Sequence, residues 1–296
     1  MSLYQTTQNL LKNADIHLKK GLGQNFLIEK SVFDLIIESA NLSSDDIVLE
    51  LGSGIGILTH ELALLSDKVI AVELDSELFR ILQSSCADLD NVIPIKADML
   101  ELDFSSLFDE YGQEKRFKII GNLPYYISTP ILIKLLEETN LTQIQKVLLM
   151  LQKEVGERLV SSPGRKEYGA ITVAVAYRCI PKIVKVIPAE YFCPKPKVDS
   201  VLIELSIRNK PCVSVNDEKF FFQVVKGAFQ HRRKTLRNAL LLANSSDRLK
   251  VSPNSIDTAM QALDLDPRIR GETLSIEQFA ELANIIYQEE MPKLSS

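Results

Sequence analysis

The sequence predicts an α/β fold: a Rossmann-like, mostly parallel sheet with an antiparallel edge, followed by a smaller all-helical C-terminal domain. Three observations carry this. Short β-rich apolar runs alternate with amphipathic stretches from about residue 30 to 160, the pattern of a parallel sheet covered by helices on both faces. A proline-rich link, Pro188 to Pro196, and a break at Asn209-Lys-Pro211 then interrupt it. Beyond Ile207, apolar residues recur at spacings of three and four, which is helical.

In chain order, Ile47–Leu51, Val69–Glu73, Val92–Lys96, Phe117–Ile120 and Lys146–Leu151 read as strands. Ser31–Ala40, Leu58–Leu65, Ser76–Cys86 and Thr129–Glu138 read as the helices between them. Ile171–Cys179 and Ser200–Ile207 come without a long helix between them and are expected to finish the sheet as antiparallel strands. Phe222, Val225, Phe229, Leu236 and Leu240 share one helical face, with Arg233 inside that apolar stripe. Such an arginine should find a carboxylate or an interdomain cleft. The expected domains are residues 1–207 and 208–296.

With 296 residues, 46% of them hydrophobic and 25% charged, the chain has the composition of a soluble globular protein with a full core. No apolar run approaches the roughly 18 residues of a membrane span. The stretch Met1 to Lys20 is polar and has no signal-peptide core, so a cytoplasmic protein is expected. Cys86, Cys179, Cys193 and Cys212 are scattered, as are His17, His60 and His231; without closely spaced ligand pairs, no metal site is expected. The formal net charge is −5, yet Lys226 to Arg237 holds five basic residues and no acidic one. Local clustering of this kind suits a polyanionic partner, although a solvated helix face has the same composition.

Glu50-Leu-Gly-Ser-Gly-Ile-Gly-Ile-Leu-Thr59 reads as a strand end entering a glycine loop and then a helix. Gly52, Gly54 and Gly56 permit a tight turn and a close backbone approach to a ligand. A dinucleotide fingerprint would need glycine where Ile57 stands. The G-x-G-x-G form preceded by Glu50 suits S-adenosylmethionine instead, because a carboxylate can lie near its cationic ammonium or sulfonium. Glu73 ends the next strand, where a carboxylate can accept both ribose hydroxyls. Asp98, just past the third strand, is placed to bind the cofactor's adenine amino group; the competing reading is a helix N-cap before Met99. The sheet is therefore expected to be of the class I methyltransferase kind.

Asn122-Leu-Pro-Tyr125 follows the fourth strand and so sits at the same edge of the sheet. An aromatic amine is a poor nucleophile because its lone pair is delocalised into the ring. Two acceptors, the Asn122 side-chain oxygen and the Leu123 carbonyl, can draw its N–H bonds out of the ring plane. Pro124 stiffens the turn, and Tyr125 can stack on the base and stabilise developing charge. Positioning and electrostatics then supply most of the rate. The target base must be flipped out or single-stranded, and Phe192 is the candidate for its opposite face.

These segments resemble the ribosomal RNA adenine dimethyltransferases of the KsgA/Erm type over nearly the whole chain. The matching pieces are Leu22-Gly-Gln-Asn-Phe-Leu27, Glu50–Thr59, Glu73, Asp98, Asn122–Tyr125, Pro194-Lys-Pro-Lys-Val-Asp-Ser200, Gln230–Arg237 and Arg270-Gly-Glu-Thr-Leu-Ser275. Ala97 and Gly271 depart from the family pattern, each by one small residue for another. The resemblance implies transfer of two methyl groups to the adenine amino nitrogen, with Gln24 and Asn25 closing over the cofactor and Leu27 nearby. The NLPY and RRKTLR forms look more like the small-subunit branch, implying small-subunit rRNA in an immature subunit as partner. Arg232, Arg233, Lys234 and Arg237, with Lys195 and Lys197, are the expected RNA contacts. A monomer is expected. The competing functions are large-subunit RNA methylation, DNA adenine methylation, small-molecule methylation and a non-catalytic assembly role.

Overall fold

A computed structural model describes residues 5, 7, 24–112, 115–138, 141–245 and 249–294. Leu22 and Gly23 of the Leu22–Leu27 segment, and all of Met1 to Lys20 except Gln5 and Thr7, lie outside the described residues. The strands are β1 (Phe26–Leu27), β2 (Ile47–Leu51), β3 (Lys68–Glu73), β4 (Val92–Lys96), β5 (Phe117–Asn122), β6 (Ile144–Gln152), β7 (Cys179–Ile187), β8 (Phe192–Cys193) and β9 (Ser200–Ile207). The helices are α1 (Lys30–Ala40), α2 (Ile57–Leu65), α3 (Ser76–Ser85), α4 (Phe104–Gly112), α5 (Tyr125–Glu138), α6 (Lys153–Leu159), α7 (Ala170–Arg178), α8 (Glu218–Gln230), α9 (Leu236–Ser245), α10 (Pro253–Ala262) and α11 (Ile276–Leu294).

The chain divides into two compact units, one of residues 1–156 and 180–209, the other of residues 157–179 and 210–296. In the first, seven strands form one sheet in the order β4-β3-β2-β5-β6-β9-β7. Strands β4 through β6 are parallel and β9 runs antiparallel to β6, as the alternation of strands and helices predicts. Every residue of β2 is buried, as expected of a central parallel strand with both faces covered. The strand order reverses at β2, which has β3 on one side and β5 on the other. Crevices at such switch points lie beyond the carboxyl ends of the strands, and the glycine loop and the Asn122 turn both issue there.

The second unit is helical, and its boundary differs from the expected one at 207/208. Residues 157–179 join it because Tyr168, Val173 and Tyr177 belong to the same apolar core as Phe221, Val225, Leu240 and Phe279. Ile171–Cys179 is accordingly not a strand. Its β-branched residues favour one, but as α7 they place Val173 and Tyr177 one turn apart on a single face. Tyr177 packs against Phe221 and Phe222 with ring centroids 5.3 Å away in each case. Tertiary packing overrides propensity here, and the edge strand falls at β7 instead, where Pro181 is tolerated.

The basic stretch also departs from the expected continuous helix. Helix α8 ends at Gln230, and His231–Thr235 turns before α9. The Lys234 N–H donates to the His231 carbonyl at 2.8 Å, and that of Leu236 to the Ile269 carbonyl at 2.7 Å. Thr235 Oγ1 accepts from the Asn238 N–H at 3.4 Å, the capping geometry that threonine favours. Arg233 therefore stands exposed on a turn and not in an apolar stripe.

Candidate active site and cofactor cavity

A solvent-open cleft of about 1100 Å³ lies at the carboxyl ends of β2, β3 and β5. The loop after β2, the β3 end from Glu73 to Asp75, and the Asn122–Ile127 segment all line it. Gln24, Asn25 and Leu27 form part of its wall. The two motifs touch: a Cβ at Gly52 would stand 3.5 Å from the Asn122 carbonyl oxygen.

The glycine loop holds its shape through positive φ angles of 77°, 59° and 87° at Gly52, Gly54 and Gly56. Gly52 and Gly54 line the cleft, but Gly56 does not. A Cβ at Gly56 would lie 2.6 Å from Ser85 Oγ and 3.1 Å from Leu82 Cδ1. Its absence lets α2 start against α3, so Gly56 has a packing role behind the loop.

Glu73 holds the loop from the neighbouring strand. One carboxylate oxygen accepts from the Gly54 N–H and the other from the Asp75 N–H, each at 2.8 Å. A carboxylate has about four lone-pair sites, so these backbone bonds, with a further one from Leu74, leave it acceptor capacity for a ribose hydroxyl. Burial raises the Glu73 pKa against these backbone bonds, which lower it. Glu50 is only 2% exposed and accepts from Thr59 Oγ1 at 2.5 Å. Burial above all, with Glu73 adding to it, pushes its pKa up to about 7 against the lowering effect of the Thr59 and Ser53 hydrogen bonds. Carboxylates beside Ile55, Leu78 and Met99 make a wall suited to a cationic nucleoside, so these residues fit S-adenosylmethionine.

Asp98 makes the bond of its competing capping reading with one carboxylate oxygen and keeps the other unengaged among the described residues. Its Oδ1 accepts from the Leu100 N–H at 2.9 Å, a local bond of the capping kind, and its neighbour Met99 lines the cleft. At the catalytic turn, Asn122 Nδ2 donates to the Asn25 carbonyl at 3.1 Å, leaving Oδ1 as the free end of the amide. The Tyr125 hydroxyl is 2.7 Å from Ser200 Oγ, which fixes the ring, and burial raises its pKa. Leu123 and Pro124 line the cleft with them.

Phe192 does not meet its expectation. In β8 it pairs with Leu27 of β1, is 3% exposed and packs in the core with Val32, Ile36 and Ile187. Stacking on a base would require its ring to leave that packing. Residues overlooked in the sequence include Asp75, which caps α3 and lies within 3.5 Å of Gln24 Nε2, and Tyr126 on the cleft wall. Asp75 was legible as a helix cap; nothing in the local pattern marks Tyr126.

The expected RNA-binding cations divide into groups. Arg232 donates to the Lys166 and Tyr168 carbonyls at 2.6 and 2.9 Å and pairs with Glu272 at 3.4 Å. Arg237 makes two bonds to Asp257, at 2.5 and 2.8 Å. Both are committed to holding the helical unit together. Arg233 and Lys234 are exposed, and neither has an ion-pair partner among the described residues. The Arg232 bond to Lys166 adds exposed Arg165 and Lys166 to the same basic surface, across 66 residues of sequence. Lys195 is exposed and 3.9 Å from Glu190; Lys197 is exposed.

The model of a family described as ribosomal RNA adenine dimethylase matches residues 16–286. The chain belongs to that family. It is thus an S-adenosylmethionine-dependent rRNA adenine dimethyltransferase. A Clostridium acetobutylicum protein named ribosomal RNA small subunit methyltransferase A is 42% identical over 282 residues, 95% of this chain and 98% of that one. A Bacillus pumilus protein of the same name is 42% identical over 281 residues, 95% of each chain. Among solved structures, a dimethyladenosine transferase from Plasmodium falciparum has a TM-score of 0.74 at 26% identity, covering 90% of this chain and 98% of its own. The 23S rRNA methyltransferase ErmE has the same fold, with a TM-score of 0.67 at 24% identity, covering 88% and 99%. For this dimethylase family member the expected fold, activity and cofactor are borne out. Among the described residues, no helix is long and apolar enough to cross a membrane.

Proposed function

We propose that the protein dimethylates the N6 amino groups of two adjacent adenosines near the 3′ end of small-subunit rRNA, acting as a cytoplasmic monomer on the immature small ribosomal subunit. The observation that carries this reading is 42% identity, across 95% of the chain, to proteins named for the small-subunit RNA. S-Adenosylmethionine supplies the methyl group, carried on a sulfonium sulfur. Asn122 Oδ1 and the Leu123 carbonyl accept the two N–H bonds of the target amine and localise its lone pair toward the methyl carbon. Asn25 supports this by holding the other end of the Asn122 amide. Tyr125, fixed by Ser200, stacks on the base and stabilises the cationic amine, which then releases a proton to water. Glu73 takes the ribose and Glu50 stands near the cofactor's positive charge. Arg233 and Lys234 contact phosphates, which position the RNA without reading its sequence.

The test is methyl transfer from labelled S-adenosylmethionine to small and large subunits lacking these modifications, followed by nucleoside analysis. Dimethyladenosine on small-subunit RNA alone is the expected result. Label on large-subunit RNA would overturn the assignment.

A further inference from the structure

Tyr126 is the one aromatic among the large apolar side chains that are markedly exposed in the described residues; it is 58% exposed. It also lines the cofactor cleft. Unlike Tyr125, whose hydroxyl is held by Ser200, it is engaged by no ring or hydrogen bond among the described residues. Its backbone is nonetheless well held. The Ile127 N–H donates to the Pro124 carbonyl at 3.1 Å, and Ser128 Oγ donates to the Tyr125 carbonyl at 3.1 Å. Farther along the same helix, Lys134 Nζ donates to the Leu100 carbonyl at 2.7 Å, tying down the turn that carries another exposed apolar side chain, Leu100. Leu74, also exposed, lines the cleft as well.

Tyr126 and Leu74 thus give the cleft two exposed apolar side chains, and a free aromatic ring at its wall suits an unstacked base. Extruding one base strips a stacking partner from its neighbour. Aromatic side chains replace such stacking with little regard to sequence. We propose that Tyr126 is the platform for the base next to the target adenine, a specificity role that rests on the small-subunit reading above. Where two neighbouring adenosines are modified in turn, the platform would hold one while the other occupies the Asn122 pocket.

The test uses unmodified small subunits with wild-type enzyme and Tyr126→Ala, Tyr126→Phe and Tyr126→Leu. Alanine is expected to raise KM for the subunit about tenfold, in the lower part of the range for losing a base–aromatic stack. It should leave kcat within about twofold, the signature of binding lost equally from ground and transition states. Phenylalanine should restore KM, leucine should not, and the Kd for S-adenosylmethionine and the Tm should not change. An unchanged KM in the alanine variant overturns the proposal. So does leucine matching phenylalanine, which would make the position merely apolar, or a weakened cofactor Kd with unchanged KM, which would make it part of the cofactor wall. A wild-type enzyme that labels no small-subunit RNA removes the reading beneath the proposal, and the proposal with it.

Discussion

In the cofactor cleft the charged groups are buried carboxylates held by backbone N–H groups and a hydroxyl; in the His231–Thr235 turn they are cations at the surface. Glu50 and Glu73 are 2% and 8% exposed, and their bonds to Thr59, Gly54 and Asp75 set the shape of the loop. In the turn, Arg232 is held by carbonyls and Glu272, while Arg233 and Lys234 have no such ties among the described residues. Burial makes the first region sensitive to pH. Exposure makes the second sensitive to salt. One is built for fixed geometry around a small ligand, the other for attraction to a polyanion.

The largest separation of the two should come from Asn122→Ala. Losing a preorganised polar group aimed at the reacting atom costs about 100- to 1000-fold in kcat in comparable cases, and a fall of that size is expected in single-turnover methyl transfer. The salt dependence of subunit binding should not change. A variant that kept its kcat and instead lost subunit affinity would erase the distinction, making the turn at Asn122 a binding element.

Next in size is the pH response of Glu50. Burial first, with Glu73 adding to it, raises its folded-state pKa from 4.5 to about 7. Below pH 4.5 the carboxyl is protonated in both folded and unfolded chains. Between 4.5 and 7 the folded chain keeps a proton that the unfolded chain has released, so stability falls as pH rises through this window. The loss should be on the order of 3 kcal/mol. Urea unfolding of wild type and Glu50→Gln across that window should show a shallower slope in the variant, which keeps only the smaller contribution of Glu73, whose pKa burial also raises. Parallel slopes would mean that the cleft is no more pH-sensitive than the turn.

The cleft was largely legible in the sequence because its demands are local. A glycine loop at a strand end, Glu73 at the next strand end and an Asn-x-Pro-Tyr turn each constrain backbone within a few residues. The parallel register of β2, β3 and β5 then brings them together without further information. What was misread or missed depends on partners far along the chain. Ile171–Cys179 has strand composition, and only the aromatic wall of Phe221 and Phe222 makes it a helix. Phe192 reads as a cleft residue until its pairing with Leu27 buries it. Gly56 belongs to the same glycine pattern as Gly52, and it takes Ser85, 29 residues on, to reveal its packing role. Arg232 and Arg237 count as free cations in a sequence; Glu272, Asp257 and the Lys166 carbonyl commit them elsewhere.

That commitment yields the smallest and most discriminating expectation. If Arg233 and Lys234 each neutralise one phosphate, Arg233→Ala with Lys234→Ala should flatten the slope of log binding constant against log salt by about 1.4 on single-stranded RNA and about 1.8 on duplex. Arg237→Ala should leave that slope where it is, because Asp257 already occupies its guanidinium. Substituting Arg165 and Lys166 should flatten the slope further, since the Arg232 bond to the Lys166 carbonyl joins their segment to the turn. Filter binding to unmodified small subunits over a range of salt concentrations measures all three. An equal effect from Arg237 would show that RNA breaks its ion pair and that the whole basic run, not just its unpaired members, meets the phosphates. No effect from Arg233 and Lys234 would move the polyanion contact away from the turn altogether.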